Sequence, residues 1–500
     1  MMKPVPRRTR RLVAGCATLA LVFLALPGGA LGDQPDLTGT VQVLVKSRGP
    51  LTTEAAAVIG SHGRVSAVWP QIRAMAMSVS PSRLDELKAD GRVAFVELDE
   101  QGSAPDIELK TPARGEGGDA AKSQPLITAP LPAALDPITT WNLDMADVTG
   151  TGFDGTGVTV AVVDSGLPQN WADFLPAGHV DTVHAVGFGG EGWGSPQSTN
   201  PVGGVGGMTG QFPHGLAVSS VILGFPSEAG PIGGAAPGAT VLPIRVLNQF
   251  NSGWFSWFAA AFLYVGQLKA DGVLPGPVVI NFSIQARNDS AIVADAIDYA
   301  TSQGVIFVTI AGNFGPDAGT ISFPGRRPQS ITTGAVGWLR EFCEPFCQGP
   351  WFFANVPEDD PTQIYVAGFS GRESDPPPSP TNIDVLAPGS IVFGEWLFGP
   401  GFSEGHKNAT SDITYFIGGT SFAAPHVVGM VAQMLQKNPG LDQAAVEGIL
   451  RGSALPIPPS GPVFTPVQFV PGWDANATGA GLARGAAAVA ATPDASEPLP

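Results

Sequence analysis

The sequence predicts an α/β domain on a largely parallel sheet flanked by helices, preceded by a small α+β module, and three observations predict it. Short, nearly continuous apolar runs recur at Val158–Val163, Val241–Leu247, Val278–Phe282 and Val305–Ile310. Runs that do not alternate belong to strands covered on both faces, as in a parallel sheet. Asp289–Ser302, Ser421–Gln436 and Leu441–Arg451 have helical length and spacing, and strands alternating with helices give an open α/β sheet. Finally, 500 residues that are 44 % hydrophobic and only 14 % charged supply a large core, and exceed what a single core usually serves.

The segments follow in order. Arg7, Arg8, Arg10 and Arg11 precede an apolar run, Leu12 to Pro27, that ends in the small residues Gly28–Gly32. Residues 1–32 therefore read as an export signal, since 16 apolar residues are short for a membrane span; an uncleaved anchor is the other reading. Residues 33–101 form the small module: Val41–Val45 and Ala74–Val79 alternate like strands. Ser80 with Pro81 opens a helix, and Val93–Leu98 closes the module as a strand. Residues 102–131, rich in Gly, Ala, Lys and Pro, read as a linker or processing region. Residues 132–490 carry the main domain, interrupted over 338–415 by loops rich in Trp, Phe and Pro, and 491–500 form a tail.

Charge and cysteine usage narrow the class. A formal net charge of −17 argues against a nucleic-acid binder, which needs a basic face to neutralise phosphate, so no nucleic-acid partner is expected. Three cysteines occur; without the signal, Cys343 and Cys347 remain, a pair that reads as a small loop disulfide in an exported chain.

Chemistry concentrates at four places. Ser421 lies in Gly418-Gly419-Thr420-Ser421-Phe422-Ala423-Ala424-Pro425-His426, directly before an apolar helix. The glycines allow close approach to the hydroxyl, and the helix start turns backbone N–H groups toward a developing oxyanion; read alone, Thr-Ser is also an ordinary N-cap. A serine hydroxyl needs a base. Of six histidines, His214 follows a Gly-rich loop and opens the helical stretch Leu216–Leu223, whereas His426 sits in the helix behind Ser421 and reads as structural. Asp164 closes the strand run in Val160-Ala161-Val162-Val163-Asp164-Ser165-Gly166, on the sheet edge where functional groups gather. There it can accept the second N–H of the base. Asn313, after the run Val305–Ile310, can donate its amide to an oxyanion.

With these segments in the order Asp, His, Ser, the chain resembles the subtilases over about 140–490. The resemblance implies a three-layer α/β fold with a seven-stranded, largely parallel sheet, and an inhibitor-type propeptide in the 33–101 module. It implies a secreted serine endopeptidase that hydrolyses protein or peptide substrates through an acyl-enzyme on Ser421. It further implies that Ser283, Ile284 and Gln285 form one wall of the S1 pocket and Ala311 and Gly312 the other. Ser252 and Gly253 would lie on an edge strand that pairs with extended substrate, while Trp254, Phe255, Trp257 and Phe258 also fit ordinary core packing. No cofactor is expected for the chemistry; Asp173 stands where a structural calcium ligand often lies, or is a solvated loop acid.

Three departures stand out against that pattern. Leu216-Ala217-Val218-Ser219-Ser220 follows His214-Gly215 where Thr-His-Val-Ala-Gly is usual, Gln285 stands in place of a Gly, and Phe314 follows Asn313 in place of a small residue. Two other readings stay open: a catalytically silent, secreted binding protein on the same fold, and a peptide ligase or cyclase that passes the acyl group to an amine. The module is expected to template folding and leave when the chain cuts itself between about 101 and 135, with no stable membrane association afterwards.

Overall fold

In the computed structural model the described residues are 39–105, 137–189, 202–210, 212–227, 230–341, 355–357, 360–395, 414–465 and 469–495. The signal at 1–32, the linker beyond Pro105, Cys343, Cys347 and His406 lie outside them.

The N-terminal module is an antiparallel sheet in the order Arg64–Trp69, Ala74–Val79, Val41–Ser47 and Val93–Leu98. The helices Thr53–Gly60 and Pro81–Ala89 complete it. Period-two alternation divides its apolar side chains between two destinations. Val43, Val45, Met75 and Met77 join Ile59 and Leu87 in the module's own core. Leu44, Ala74 and Ala76, one residue out of phase, instead join the core of the main domain. Pro81 occupies the first turn of its helix as expected, but the Ser80 side chain makes no capping bond there and meets Ser82 Oγ at 2.9 Å.

The main domain carries a nine-stranded sheet. Along it run Ile364–Val366, Ile331–Trp338, Val305–Ile310, Val278–Phe282, Thr159–Asp164, Thr240–Arg245, Val186–Gly187 and Val202–Gly203, with Val385–Pro388 also paired to Ile331–Trp338. Seven of these are parallel to their neighbours; Ile364–Val366 and Val202–Gly203 are short antiparallel additions to the seven expected. Ile364–Val366 and Val385–Pro388 both fall inside the stretch 338–415 that reads in sequence as an interruption. Three- and four-residue strands are too short for their pattern to stand out among Pro-rich loops.

The alternation of Val160 and Val162 against Ala161 and Val163 splits the apolar residues between two cores, one on each sheet face. The helices His214–Leu223, Thr420–Lys437 and Gln443–Ser453 cover one face, and Phe255–Ala270 and Ala291–Ser302 the other. The result is the three-layer arrangement. Thr159–Asp164 lies mid-sheet between Thr240–Arg245 and Val278–Phe282, so its last residue, Asp164, emerges at the centre of the carboxyl edge.

Two helix starts of the main domain are capped by the module. Glu97 accepts from the Ala291 and Ile292 backbone N–H groups and from Ser290 Oγ, at the start of Ala291–Ser302. Asp99 accepts from the Ser256 N–H at 2.9 Å, in the first turn of Phe255–Ala270. Each carboxylate satisfies donors that a helix cannot satisfy itself. Lys46 pairs with Asp295 beside them.

Candidate active site

Asp164 and His214 are both fully buried, and the His214 Nδ1 lies 2.9 Å from each Asp164 oxygen. A carboxylate only accepts, so Nδ1 carries the hydrogen and Nε2 is the basic nitrogen. The Asp164 Oδ1 also accepts the Ser165 N–H at 2.6 Å. Ser165 then ties the two segments together: its hydroxyl donates to the Phe212 carbonyl at 2.7 Å and accepts the Gly215 N–H at 2.9 Å. Closeness of this kind demands glycine after the histidine, for a Cβ on Gly215 would lie 2.4 Å from the Gly166 carbonyl. Sequence reasoning missed the role of Ser165, although its place beside Asp164 was the available signal.

His214 Nε2 is buried and makes no hydrogen bond. The imidazole packs on Phe422, the residue after Ser421, with ring centroids 5.6 Å apart. Ser421, in the first turn of Thr420–Lys437, turns its hydroxyl to the Ser283 carbonyl at 3.2 Å, and Ser283 Oγ donates to the Ser421 carbonyl at 3.0 Å. The base, with no partner at Nε2, and the hydroxyl, bonded to the Ser283 carbonyl, thus sit on segments packed together.

Asn313 is held by the same turn. Its Oδ1 accepts both the Thr420 N–H at 3.0 Å and the Thr420 hydroxyl at 2.8 Å, which leaves Nδ2 as the free donor. Gly419, at φ +146°, takes a conformation that L side chains rarely adopt, and a Cβ there would stand 3.1 Å from Nδ2. The clamp by Thr420 was invisible in sequence, where 107 residues separate it from Asn313.

Of the residues expected to meet substrate, Ser252, Gly253 and Gln285 flank the chain's own residues 102 and 103. Gln101–Ser103 pairs antiparallel with Ser252–Trp254, setting Ser103 against Ser252 and Gly102 against Gly253. On its other side Ser103 exchanges both backbone hydrogen bonds with Gln285, at 3.0 and 2.9 Å. Gly102 and Ser103 are thus strand, in a stretch the sequence assigns to a structureless linker, because their order comes from two edges distant in the chain. The side chain of Asn251 donates to the Ala104 carbonyl at 2.9 Å. Ile284 is buried, as are Phe255, Trp257 and Phe258, which serve as core while Trp254 is half-buried.

Gln285 does more than bound the wall. Its Oε1 accepts the Asn313 N–H at 2.7 Å and would lie 3.1 Å from a Cβ on Gly312, where Ser322 Oγ also approaches to 2.6 Å. Ala311 is fully buried, so Gly312 is the part of that wall the carboxamide reaches. Beyond it, Phe314 carries the Arg287 guanidinium 4.2 Å above its ring, at the edge of a cavity of about 480 Å³ that Asn313, Asp317 and Arg326 also line. Behind the site His426 donates Nδ1–H to the Phe422 carbonyl at 2.7 Å and accepts from Asn142 Nδ2 at 2.9 Å; burial pushes its pKa down to about 4, so it stays neutral.

A profile of the subtilase family matches residues 155–484, which is more than half of the sequence. The chain belongs to the subtilase family. This subtilase is 25 % identical to subtilisin E of Bacillus subtilis over 394 residues, covering 78 % of each chain. It is 27 % identical to the subtilisin of Bacillus pumilus over 305 residues, 61 % of this chain and 86 % of that one. Among solved structures, fervidolysin from Fervidobacterium pennivorans superposes with a TM-score of 0.61 at 22 % identity, covering 92 % of this subtilase and 61 % of fervidolysin. Sphericase gives 0.51 at 25 % identity over 69 % of this subtilase and 97 % of its own length. The subtilase is a subtilisin-like serine endopeptidase, a hydrolase of protein or peptide substrates.

Asp173 ends a short 3₁₀ turn and accepts from Asn170 Nδ2 at 3.4 Å. Among the described residues no group of three or more His, Cys, Asp or Glu that could hold a metal ion occurs. No helix among the described residues is long and apolar enough to cross a membrane.

Proposed function

We propose that this subtilase is exported by residues 1–32, folds against the module at 33–101 as its propeptide, and hydrolyses internal peptide bonds through an acyl-enzyme on Ser421. His214 Nε2 takes the Ser421 proton as Oγ adds to the substrate carbonyl, and Asp164 holds the ring and stabilises the imidazolium. Asn313 Nδ2 and the Ser421 N–H receive the oxyanion. The imidazolium protonates the leaving amine, and water, activated by the same ring, releases the acid. Ser252 and Gly253 pair with the extended substrate, while Ser283–Gln285 and Ala311–Gly312 bound the side chain beside the scissile bond.

The observation that carries this reading is the buried Asp164–His214 pair, whose Nε2 has no partner of its own and whose ring packs against the turn that bears Ser421. No cofactor enters the proposed steps, and the acidic surface calls for no nucleic acid. A fluorophosphonate probe tests it on the processed chain at neutral pH. Covalent label on Ser421, lost in Ser421→Ala, is expected; an unlabelled folded chain would instead favour the silent binding protein.

A further inference from the structure

Gly102 and Gly253 lie directly opposite each other in the antiparallel pair of Gln101–Ser103 with Ser252–Trp254. Residues that face each other across such a pair send their Cβ atoms to the same side, and here a single ring occupies that side. A Cβ on Gly253 would stand 2.7 Å from Phe258 Cε1, and a Cβ on Gly102 would stand 3.0 Å from Phe258 Cε2. The Cβ on Gly102 would also lie 2.9 Å from the Gln285 carbonyl oxygen and 3.4 Å from Ile284 Cγ2. Gly102 is not held at a positive φ, so its backbone conformation suits any L residue. What asks for glycine there is the lack of space.

None of these neighbours yields readily. Phe258 is 2 % exposed; it meets Phe282 edge-on at 5.3 Å between ring centroids and Phe255 at 6.2 Å. Phe282 in turn ends a strand in the middle of the main sheet, so the ring has rigid backing. The Gln285 carbonyl is fixed by the Ser103 N–H that it accepts at 3.0 Å, and Ile284 is buried. Forcing even a methyl group into a floor packed this closely displaces side chains or backbone and is destabilising.

An extended substrate that pairs with Ser252 and Gly253 takes the same place between the two edges. Ser103 exchanges both backbone hydrogen bonds with Gln285, and in an antiparallel ladder the residue two further on then faces Ser283. The Ser283 carbonyl accepts the Ser421 hydroxyl at 3.2 Å, so the substrate residue facing Ser283 is the one whose carbonyl the nucleophile attacks. Counted back from that residue, the place of Gly102 is the fourth before the scissile bond. We propose that Phe258 fills the side-chain space of this fourth residue, so that the subtilase selects substrates with glycine there. The inference rests on the triad reading above and adds to it a specificity-determining residue, Phe258, and the side chain it excludes.

The test gives processed enzyme a set of peptides with alanine before the scissile bond and glycine, alanine, valine or phenylalanine as the fourth residue, and reads the cut bond by product mass. Relative to glycine, kcat/KM is expected to fall about tenfold for alanine and further for valine and phenylalanine. Alanine cut as fast as glycine overturns the inference, and so does valine or phenylalanine cut as fast as alanine, since a filled floor rejects side chains by volume. Phe258→Leu keeps the position apolar with a smaller side chain, and its glycine-to-alanine ratio is expected to drop toward one. A ratio unchanged in that variant, while Ser421 still takes the fluorophosphonate probe, removes Phe258 from the explanation; if the variant does not fold, the graded series in wild type decides. A labelled enzyme that leaves the glycine peptide whole overturns this inference alone. An enzyme that neither takes the label nor cuts any peptide overturns the hydrolase reading beneath it.

Discussion

The imidazole of His214 stands 2.9 Å from both oxygens of Asp164, with the two side chains fully buried. Such a pair fixes both the tautomer and the plane of the base, because the carboxylate can only accept. In Asp164→Asn the amide can present a donor to Nδ1, favouring the tautomer with hydrogen on Nε2, which cannot take the serine proton. Turnover is expected to fall about 10⁴-fold at neutral pH with the fold retained. Steady-state kinetics beside a circular dichroism spectrum would check this, and a loss below tenfold would exclude the orienting role.

Asn313 lies one step further from the base and should show a cleaner split. Thr420 occupies its oxygen twice, so the amide cannot rotate to present anything but Nδ2. Asn313→Ala is expected to lower kcat by about 10²–10³ with KM little changed, since the donor matters only once the oxygen becomes negative. Thr420→Val should act in the same direction by freeing the amide to rotate. A rise in KM with unchanged kcat in Asn313→Ala would mean that the amide binds ground-state substrate.

Asp99 sets the pH response of the docked N-terminal module. Burial pushes its pKa up from 3.8 to about 7, against the lowering effect of its hydrogen bonds from Ser256; burial likewise raises Glu97. A carboxyl that holds its proton when docked and loses it when free favours docking at low pH. Below pH 3.8 the two states bind the proton alike, and the advantage is lost as pH rises toward about 7. If the module at 33–101 is released as the proposed propeptide, its affinity for the main domain should weaken with rising pH by up to about tenfold per unit across that window. Asp99→Asn is expected to flatten the dependence. Release measured by the onset of peptidase activity after a pH jump checks it, and an affinity that rises with pH would refute it.

How much of this was legible beforehand varies with the distance over which each contact acts. Asp164, His214, Asn313 and Ser421 could be singled out as candidates because each carries its own local setting, a strand end or a helix start with glycine nearby. The parallel core could be read because Val158–Val163 or Val305–Ile310 need no partner to look buried. What the sequence hid depends on partners far along the chain: the Thr420 clamp, the Ser165 tie, and Gly102–Ser103 as a strand between two edges. The short strands Ile364–Val366 and Val385–Pro388 were hidden for another reason, since they carry too few residues for a period to show.

Gln285 is where a departure from the family pattern has a measurable consequence. Its carboxamide spans from one wall to the other, accepting the Asn313 N–H at 2.7 Å and reaching Gly312. A side chain entering between those walls must displace it, and displacement leaves the Asn313 N–H unpaired at a cost of about 1–3 kcal/mol. Wild type should thus prefer small residues before the scissile bond. Gln285→Gly removes the bridge, opening the space but loosening the segment that carries Asn313. The kcat/KM ratio for phenylalanine over alanine at that position is expected to rise about tenfold, while kcat on alanine substrates falls. Paired peptide substrates would measure both changes. If the ratio stayed constant while kcat fell, the carboxamide would be a support for Asn313 alone, and the narrowing of the pocket would have to come from Ser322, whose hydroxyl would lie 2.6 Å from a Cβ on Gly312.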